Sequence, residues 1–161
     1  MNISIDITER KEAEQQATED LKRVLYALDQ STIIAITDRN GCIQYVNNKF
    51  EEISEYSREE LIGKTHRIIN SQYHPKTFFE HMWNTILSGK VWRGEIRNKS
   101  KNGRLYWVDT TITPLLNEKG EIEQFIAIRH DITKRKELER QKDEFIGIAS
   151  HELKTPVTSL K

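Results

Sequence analysis

Between Glu9 and Gln30 the chain is charged and helix-favouring, without glycine or proline. Its apolar residues fall at Ala13, Ala17, Leu21, Val24 and Leu28, at spacings of four, four, three and four. A seam repeating near every 3.5 residues predicts a helix with a coiled-coil strip, which a second copy would cover. The alternative is a single amphipathic helix lying on its own domain.

From Thr32 to Asp131 the periods are mixed. Ile33 to Asp38, a turn at Arg39-Asn40-Gly41, and Cys42 to Asn47 read as a β-hairpin. Asn48 to Tyr56 and Ser57 to Ile62 read as short helices. Ser57 and Glu60 have capping-box spacing, and Gly63 is the stop. His74-Pro75 opens a longer helix, with Phe79, Trp83, Ile86 and Leu87 on one face and Gly89 at its end. Val91 to Asn98, Arg104 to Leu116 and Glu121 to His130 are strand candidates joined by polar, glycine-containing turns. Two strands, short helices and a three-strand meander predict an α+β fold. The expected form is a five-stranded antiparallel sheet with helices on one face. Thr133 to Thr155 reads as a helix of roughly 35 Å, capped by Asp131 or Thr133 and interrupted by Pro156. The expected organisation is a helical linker over 1–31, a central domain over 32–132, and a connecting helix over 133–161.

One string repeats. Asp6-Ile7-Thr8-Glu9-Arg10-Lys11-Glu12 recurs 125 positions later as Asp131-Ile132-Thr133-Lys134-Arg135-Lys136-Glu137. A repeat unit of one domain plus its connecting helix would account for this. The first copy then reads as the tail of a preceding domain. The amphipathic pattern at Val157 and Leu160 runs up to Lys161, so a fragment of a longer parent is expected.

Composition narrows the function. The 25 basic and 25 acidic residues cancel over 161 positions, which argues against a generally basic nucleic-acid binder. Arg97, Lys99, Lys101 and Arg104 form a basic hairpin, but without interleaved aromatics they read as a solvated edge. A single cysteine, Cys42, excludes an internal disulfide framework and a cysteine-rich metal site; no metal is expected. No apolar run approaches the ~20 residues of a membrane span, and no leader is evident. A cytoplasmic location is expected, with a membrane anchor only if one lies elsewhere in the parent.

The strings Ile36-Thr37-Asp38-Arg39-Asn40-Gly41, Tyr45-Val46-Asn47, Leu61-Ile62-Gly63-Lys64, Trp92-Arg93-Gly94-Glu95, Lys101-Asn102-Gly103 and Asp131-Ile132-Thr133 resemble, in order and spacing, a PAS domain with its C-terminal PAC motif. The stretch Asp143 to Pro156, containing Ser150-His151-Glu152-Leu153-Lys154-Thr155-Pro156, is similar to the phosphoacceptor box of sensor histidine kinases. That resemblance implies His151 as the phosphorylated residue, Glu152 as its acid/base neighbour, and Thr155 as an aid to dephosphorylation. Pro156 would bend the helix. On a helical wheel Phe145, Ala149 and Leu153 cluster within about 80°, and His151 lies roughly 160° from their centre. A buried strip would therefore leave His151 facing solvent, where a neutral imidazole can attack a phosphoryl group. No phosphate-cradling glycine loop is present, so ATP would be bound by a separate catalytic domain.

The sheet and its helices should enclose an apolar pocket, with Phe50, Ile53, Ile68, Ile69, Phe79, Trp83 and Trp92 as wall residues or ordinary core. The segment also resembles the FAD-holding PAS domains of aerotaxis and nitrogen-fixation redox sensors at Asn47, Phe79, Trp83, Trp92 and Asn98. That likeness implies amide contacts from the two asparagines and packing by the tryptophans. It departs from the aerotaxis pattern at Asn70, Ser71 and Tyr73. In light-oxygen-voltage domains a flavin-reactive cysteine aligns with His66, so no thiol adduct is expected, and Cys42 lies in another element. A haem ligand would align nearer Phe78 than His81. His66 and His130 read as surface or satisfied structural histidines, and His74 as a residue capping the proline-led helix.

The resulting expectation is the sensor and connector of a two-component histidine kinase. It would be a phosphoprotein of a phosphorelay, homodimeric through its flanking coiled-coil helices and paired with a response regulator. The alternatives are a ligand-free dimerisation spacer and a flavin-based redox sensor.

Overall fold

Alternation along the strands decides the architecture. In the computed structural model, which describes the backbone of residues 3–159 and the side chains of 6–154, five strands form one antiparallel sheet. They are β1 (Ile33–Asp38), β2 (Ile43–Val46), β3 (Trp92–Lys99), β4 (Leu105–Leu116) and β5 (Ile122–Asp131), in the order β2-β1-β5-β4-β3. The first hairpin and the three-strand meander are both present, and β1 pairs with β5 to close them into one sheet. Phe125, Ala127 and Arg129 alternate onto the buried side of β5, and Tyr106, Val108, Thr110 and Ile112 do so on β4.

Between β2 and β3 the chain builds α2 (Asn48–Ser54), α3 (Arg58–Leu61), a 3-10 turn (His66–Ile69) and α4 (Lys76–Leu87). Each start has a local cause. Asn47 caps α2, and Ser57 with Glu60 forms the reciprocal capping box on α3. Pro75 stands at the N-cap of α4, one position outside the helix. His74 is not a cap: its Nε2 accepts the Arg97 amide at 2.9 Å, and its ring stacks on Phe78. The apolar sides of these helices meet the sheet in one core containing Ile43, Val46, Phe50, Leu61, Ile86, Tyr106 and Val108. Each such side chain contributes roughly 1.5–3 kcal/mol on burial.

Two long helices flank this unit. α1 (Ile3–Ser31) joins β1 through the single buried residue Thr32, and α5 (Thr133–Ser159) follows β5 after the single buried residue Ile132. The seam residues Ala13, Ala17, Leu21 and Val24 are exposed, and only Leu28 is half-buried. Along most of its length α1 therefore does not lie on its own domain. The first repeat copy, Asp6 to Glu12, is helical throughout; the second straddles the end of β5 and the start of α5. α5 continues past Pro156 to Ser159, so the proline does not interrupt it. A proline inside a helix removes one backbone bond and can be carried where neighbouring turns hold. The side chain of Thr155 lies outside the described residues.

Candidate functional site

A cavity of about 1110 Å³ opens between the sheet and the helical layer. Its aromatic wall is Phe79 and Trp83 from α4 with Phe125 from β5; the Trp83 and Phe125 rings meet edge to face at 5.9 Å. Ile69, Met82, Ile96 and Ile112 add aliphatic surface, and Asn98 of β3 contributes a side-chain amide that forms no hydrogen bond among the described residues. The volume is slightly above the usual range of small-molecule sites, about 300–1,000 Å³, and apolar walls with a few polar groups are their usual lining.

Three of the five residues implied by the flavoprotein resemblance border this cavity: Phe79, Trp83 and Asn98. The other two do not. The Asn47 amide is spent on the fold: Oδ1 accepts the amides of Ile34 at 3.0 Å and Phe50 at 3.2 Å, and Nδ2 donates to the Thr32 carbonyl at 2.8 Å. Trp92 is buried in the core, folded over Gly94 and perpendicular to the Phe78 ring, beside a hollow lined by Pro75, Thr77, His81 and Arg93. Of the other expected wall residues, Phe50 and Ile53 are buried core and Ile68 packs against that core, away from the lining.

His66 is neither a surface nor a satisfied histidine. It borders the cavity with Nε2 buried and unpartnered. Burial, and then the neighbouring Arg129 guanidinium, hold its pKa well below the ordinary value. Arg129 itself was missed as a site residue. It reaches the cavity from β5 with only 5% exposure, and burial pulls its pKa down to about 10. Its signal was present in the alternation Phe125, Ala127, Arg129, which places a charge on the buried face. His130 is exposed, and Cys42 is absent from the cavity lining. Among the described residues no cluster of His, Cys, Asp or Glu is placed to hold a metal ion.

The basic hairpin is largely neutralised or covered. Lys101 pairs with Glu60 at 2.6 Å, Arg104 Nη2 donates to the Ile53 carbonyl at 3.0 Å, and the Arg97 guanidinium lies over the Tyr73 ring.

The second candidate centre lies on α5. His151 and Glu152 are both exposed there, with Phe145, Ile148 and Leu153 also open to solvent. The cavity and this helix share a strand. Arg129 is four residues before Thr133, and Thr133 is hydrogen-bonded to Asp131 and to Trp107 of β4. Glu95 of β3 binds Arg135 and Lys136, each at 2.6 Å. No break separates the ligand-sized cavity from the helix.

The PAS domain family model matches residues 31–134. This chain belongs to the PAS family. It is 36% identical over 111 residues to a nitrogen fixation regulatory protein of Klebsiella pneumoniae, covering 69% of this chain and 22% of that protein. It is 27% identical over 160 residues to the sensor protein kinase WalK of Staphylococcus aureus, covering 96% of this chain and 36% of the kinase. The structure of an RNA-binding light-oxygen-voltage receptor superposes with a TM-score of 0.69 at 21% identity, over 81% of this chain and 37% of that one. This last likeness is one of fold. The chain thus spans about a fifth to a third of these curated relatives. As a PAS sensory domain it is similar to parts of signalling proteins that include sensor kinases. No helix among the described residues is long and apolar enough to cross a membrane.

Proposed function

We propose that this chain is the sensory and connecting segment of a sensor histidine kinase. The PAS cavity holds a small molecule. The state of the cavity biases α5, and α5 presents His151 as the phosphoacceptor. The observation that supports this most is the continuity of β5 and α5: cavity wall at Ala127 and Arg129, clamped junction at Asp131 to Lys136, exposed imidazole at position 151. By resemblance, Glu152 holds or takes the proton of the second imidazole nitrogen, and Thr155 assists dephosphorylation. ATP comes from a separate catalytic domain, and the phosphoryl group passes to a response regulator. The exposed residues Ala17, Leu21 and Val24 of α1 and Phe145, Ile148 and Leu153 of α5 form the strips along which two copies pair. A ligand can shift the output only as far as its affinities for the two helix states differ.

A flavin fits the cavity in size and wall chemistry. Phe79, Trp83 and Phe125 would flank the ring, and Asn98 and Arg129 would meet its polar edge. Bound there, it would supply reversible redox chemistry and visible absorption. A flavin spectrum in freshly purified protein supports the redox form of the proposal.

The phosphoacceptor assignment is tested by adding an ATP-loaded kinase catalytic domain and following acid-labile phosphate on this chain. Label is expected on the wild type and none on His151→Gln. Persisting label on the variant overturns the assignment.

A further inference from the structure

Among the described residues five buried side-chain nitrogen or oxygen atoms have no hydrogen-bond partner, and four gather in one place. They are Nε and Nη1 of Arg129, Nε2 of His66 and Oγ1 of Thr110. Thr110 is the direct cross-strand partner of Arg129. His66 and Arg129 both approach the Phe50 ring, at 6.0 Å and 5.8 Å between centres. His66 and Arg129 border the cavity. Among the described residues Arg129 forms no ion pair. The nearby Tyr106 phenol, its pKa pushed up to about 12 by burial, is neutral and supplies no counter-charge.

Buried polar groups are normally paired, and a buried charge without an anion is strongly unfavourable. Arginine stays charged at neutral pH even with its pKa drawn down to about 10. A charge of that kind at the wall of a ligand-sized cavity is complete only when something negative arrives. Its planar donor fork suits a carboxylate or a similar two-atom acceptor edge. The remaining walls are aromatic.

We propose that the ligand of this cavity is a planar aromatic molecule carrying negative charge on one edge, and that Arg129, flanked by His66 and Thr110, is the subsite that receives it. This rests on the ligand-holding reading above. The charge has two possible sources: a carboxylate on an aromatic acid, or a flavin ring made anionic by reduction.

The test titrates the full chain with 2-naphthoate and its neutral isostere 2-naphthamide, using calorimetry and the Arg129 Nε–Hε NMR signal. Naphthoate is expected to bind at least about tenfold more tightly and to shift that signal. Arg129→Met should remove the preference and raise the melting temperature of the ligand-free chain, because it deletes an uncompensated charge. Arg129→Gln provides a second neutral variant, and Arg129→Lys should keep part of the preference. A parallel titration with oxidised and reduced riboflavin, which has no phosphate, separates the sources. Tighter binding of the reduced ring in wild type but not in Arg129→Met assigns the charge to a flavin. Naphthoate preference without riboflavin binding assigns it to an aromatic acid. Equal binding of both naphthalene probes, or a preference that survives in the neutral variants, overturns the anion subsite and leaves the ligand-holding reading standing. Failure of every probe to bind overturns both.

Discussion

The backbone amide of Trp107 donates to Thr133 Oγ1 at 2.9 Å, across 26 residues of chain. The Trp107 carbonyl accepts the Ile132 amide, also at 2.9 Å, and the Thr133 hydroxyl donates to Asp131 Oδ1 at 2.6 Å. The first residue of α5 is thus bonded to β4 and to the end of β5. Thr133→Ala strips the Trp107 amide of its acceptor and the Asp131 carboxylate of a donor. A loss of about 1 kcal/mol is expected, which lowers the melting temperature by about 2–4 °C in a chain of this size. Hydrogen exchange should accelerate in the first turn of α5, and Thr133→Ser should restore it. Unchanged exchange in that turn would show that the clamp resides elsewhere.

Glu95 makes the second clamp. Its hydrogen bond from Lys136, followed by the Lys136 and Arg135 charges, holds the carboxyl below its ordinary pKa, and the Lys136 ammonium also lies 4.7 Å from the centre of the Trp107 ring. The groups are partly open to solvent, so Glu95→Gln should destabilise the chain by under about 1 kcal/mol. The clearer readout is salt. In wild type, exchange over residues 134–137 should quicken as ionic strength rises, because screening weakens the pairs. In Glu95→Gln it should be fast at every salt concentration. The contribution is present above the carboxyl's ordinary value of 4.5 and fades as pH falls through its lowered one.

Much of the fold was legible because it depends on neighbours in the chain. The Ser57–Glu60 box, the turn at Asn40-Gly41 and the strand meander each need only a few adjacent residues. The 3-10 turn at His66–Ile69 was not, since four residues carry too little periodicity to declare it. Asn47 matched a ligand pattern, but its amide is consumed by Thr32, Ile34 and Phe50. Two of those partners lie more than a dozen residues away, across the first hairpin. Trp92 has the parity of the cavity face, yet Gly94 leaves its ring room to fold aside. Phe79, Trp83 and Asn98 were legible because helix face and strand parity suffice to aim them. Arg129 was visible in the same parity. That its Nε and Nη1 find no hydrogen-bond partner among the described residues is a property of the whole packed interior.

Gly41, itself part of the cavity lining, tests the rigidity of the wall. It sits at φ +88°, and a Cβ there would lie 2.8 Å from the Trp83 ring. Gly120, at φ +78°, has the same left-handed backbone with nothing within 4 Å of the added atom. Gly120→Ala should therefore report backbone strain alone, about 1–2 kcal/mol. Gly41→Ala should add the overpacking of a rigid ring, about 1–3 kcal/mol more, and should shift Trp83 fluorescence. Equal losses for the two variants would mean that Trp83 yields freely and the wall is soft.

His66 gives the chain an acid-sensitive stability. Burial and then Arg129 lower its pKa well below 6.5 in the folded chain. Between those two values the unfolded chain takes up a proton that the folded chain refuses. Stability is then fully present above pH 6.5 and falls as pH drops towards the folded value. The slope is at most about 1.4 kcal/mol per pH unit for one group. His74 acts in the same direction, its pKa also lowered by burial. Glu55, Glu95 and Glu137, with folded pKa values below 4.5, lose their contributions at more acid pH. Urea unfolding of wild type should therefore show a stability loss opening just below pH 6.5. His66→Leu should flatten that limb while leaving the remainder due to His74, and His66→Leu with His74→Phe should flatten it further. A limb of unchanged steepness in His66→Leu would mean that the imidazole accepts its proton inside the folded chain, and that Arg129 does not hold it neutral.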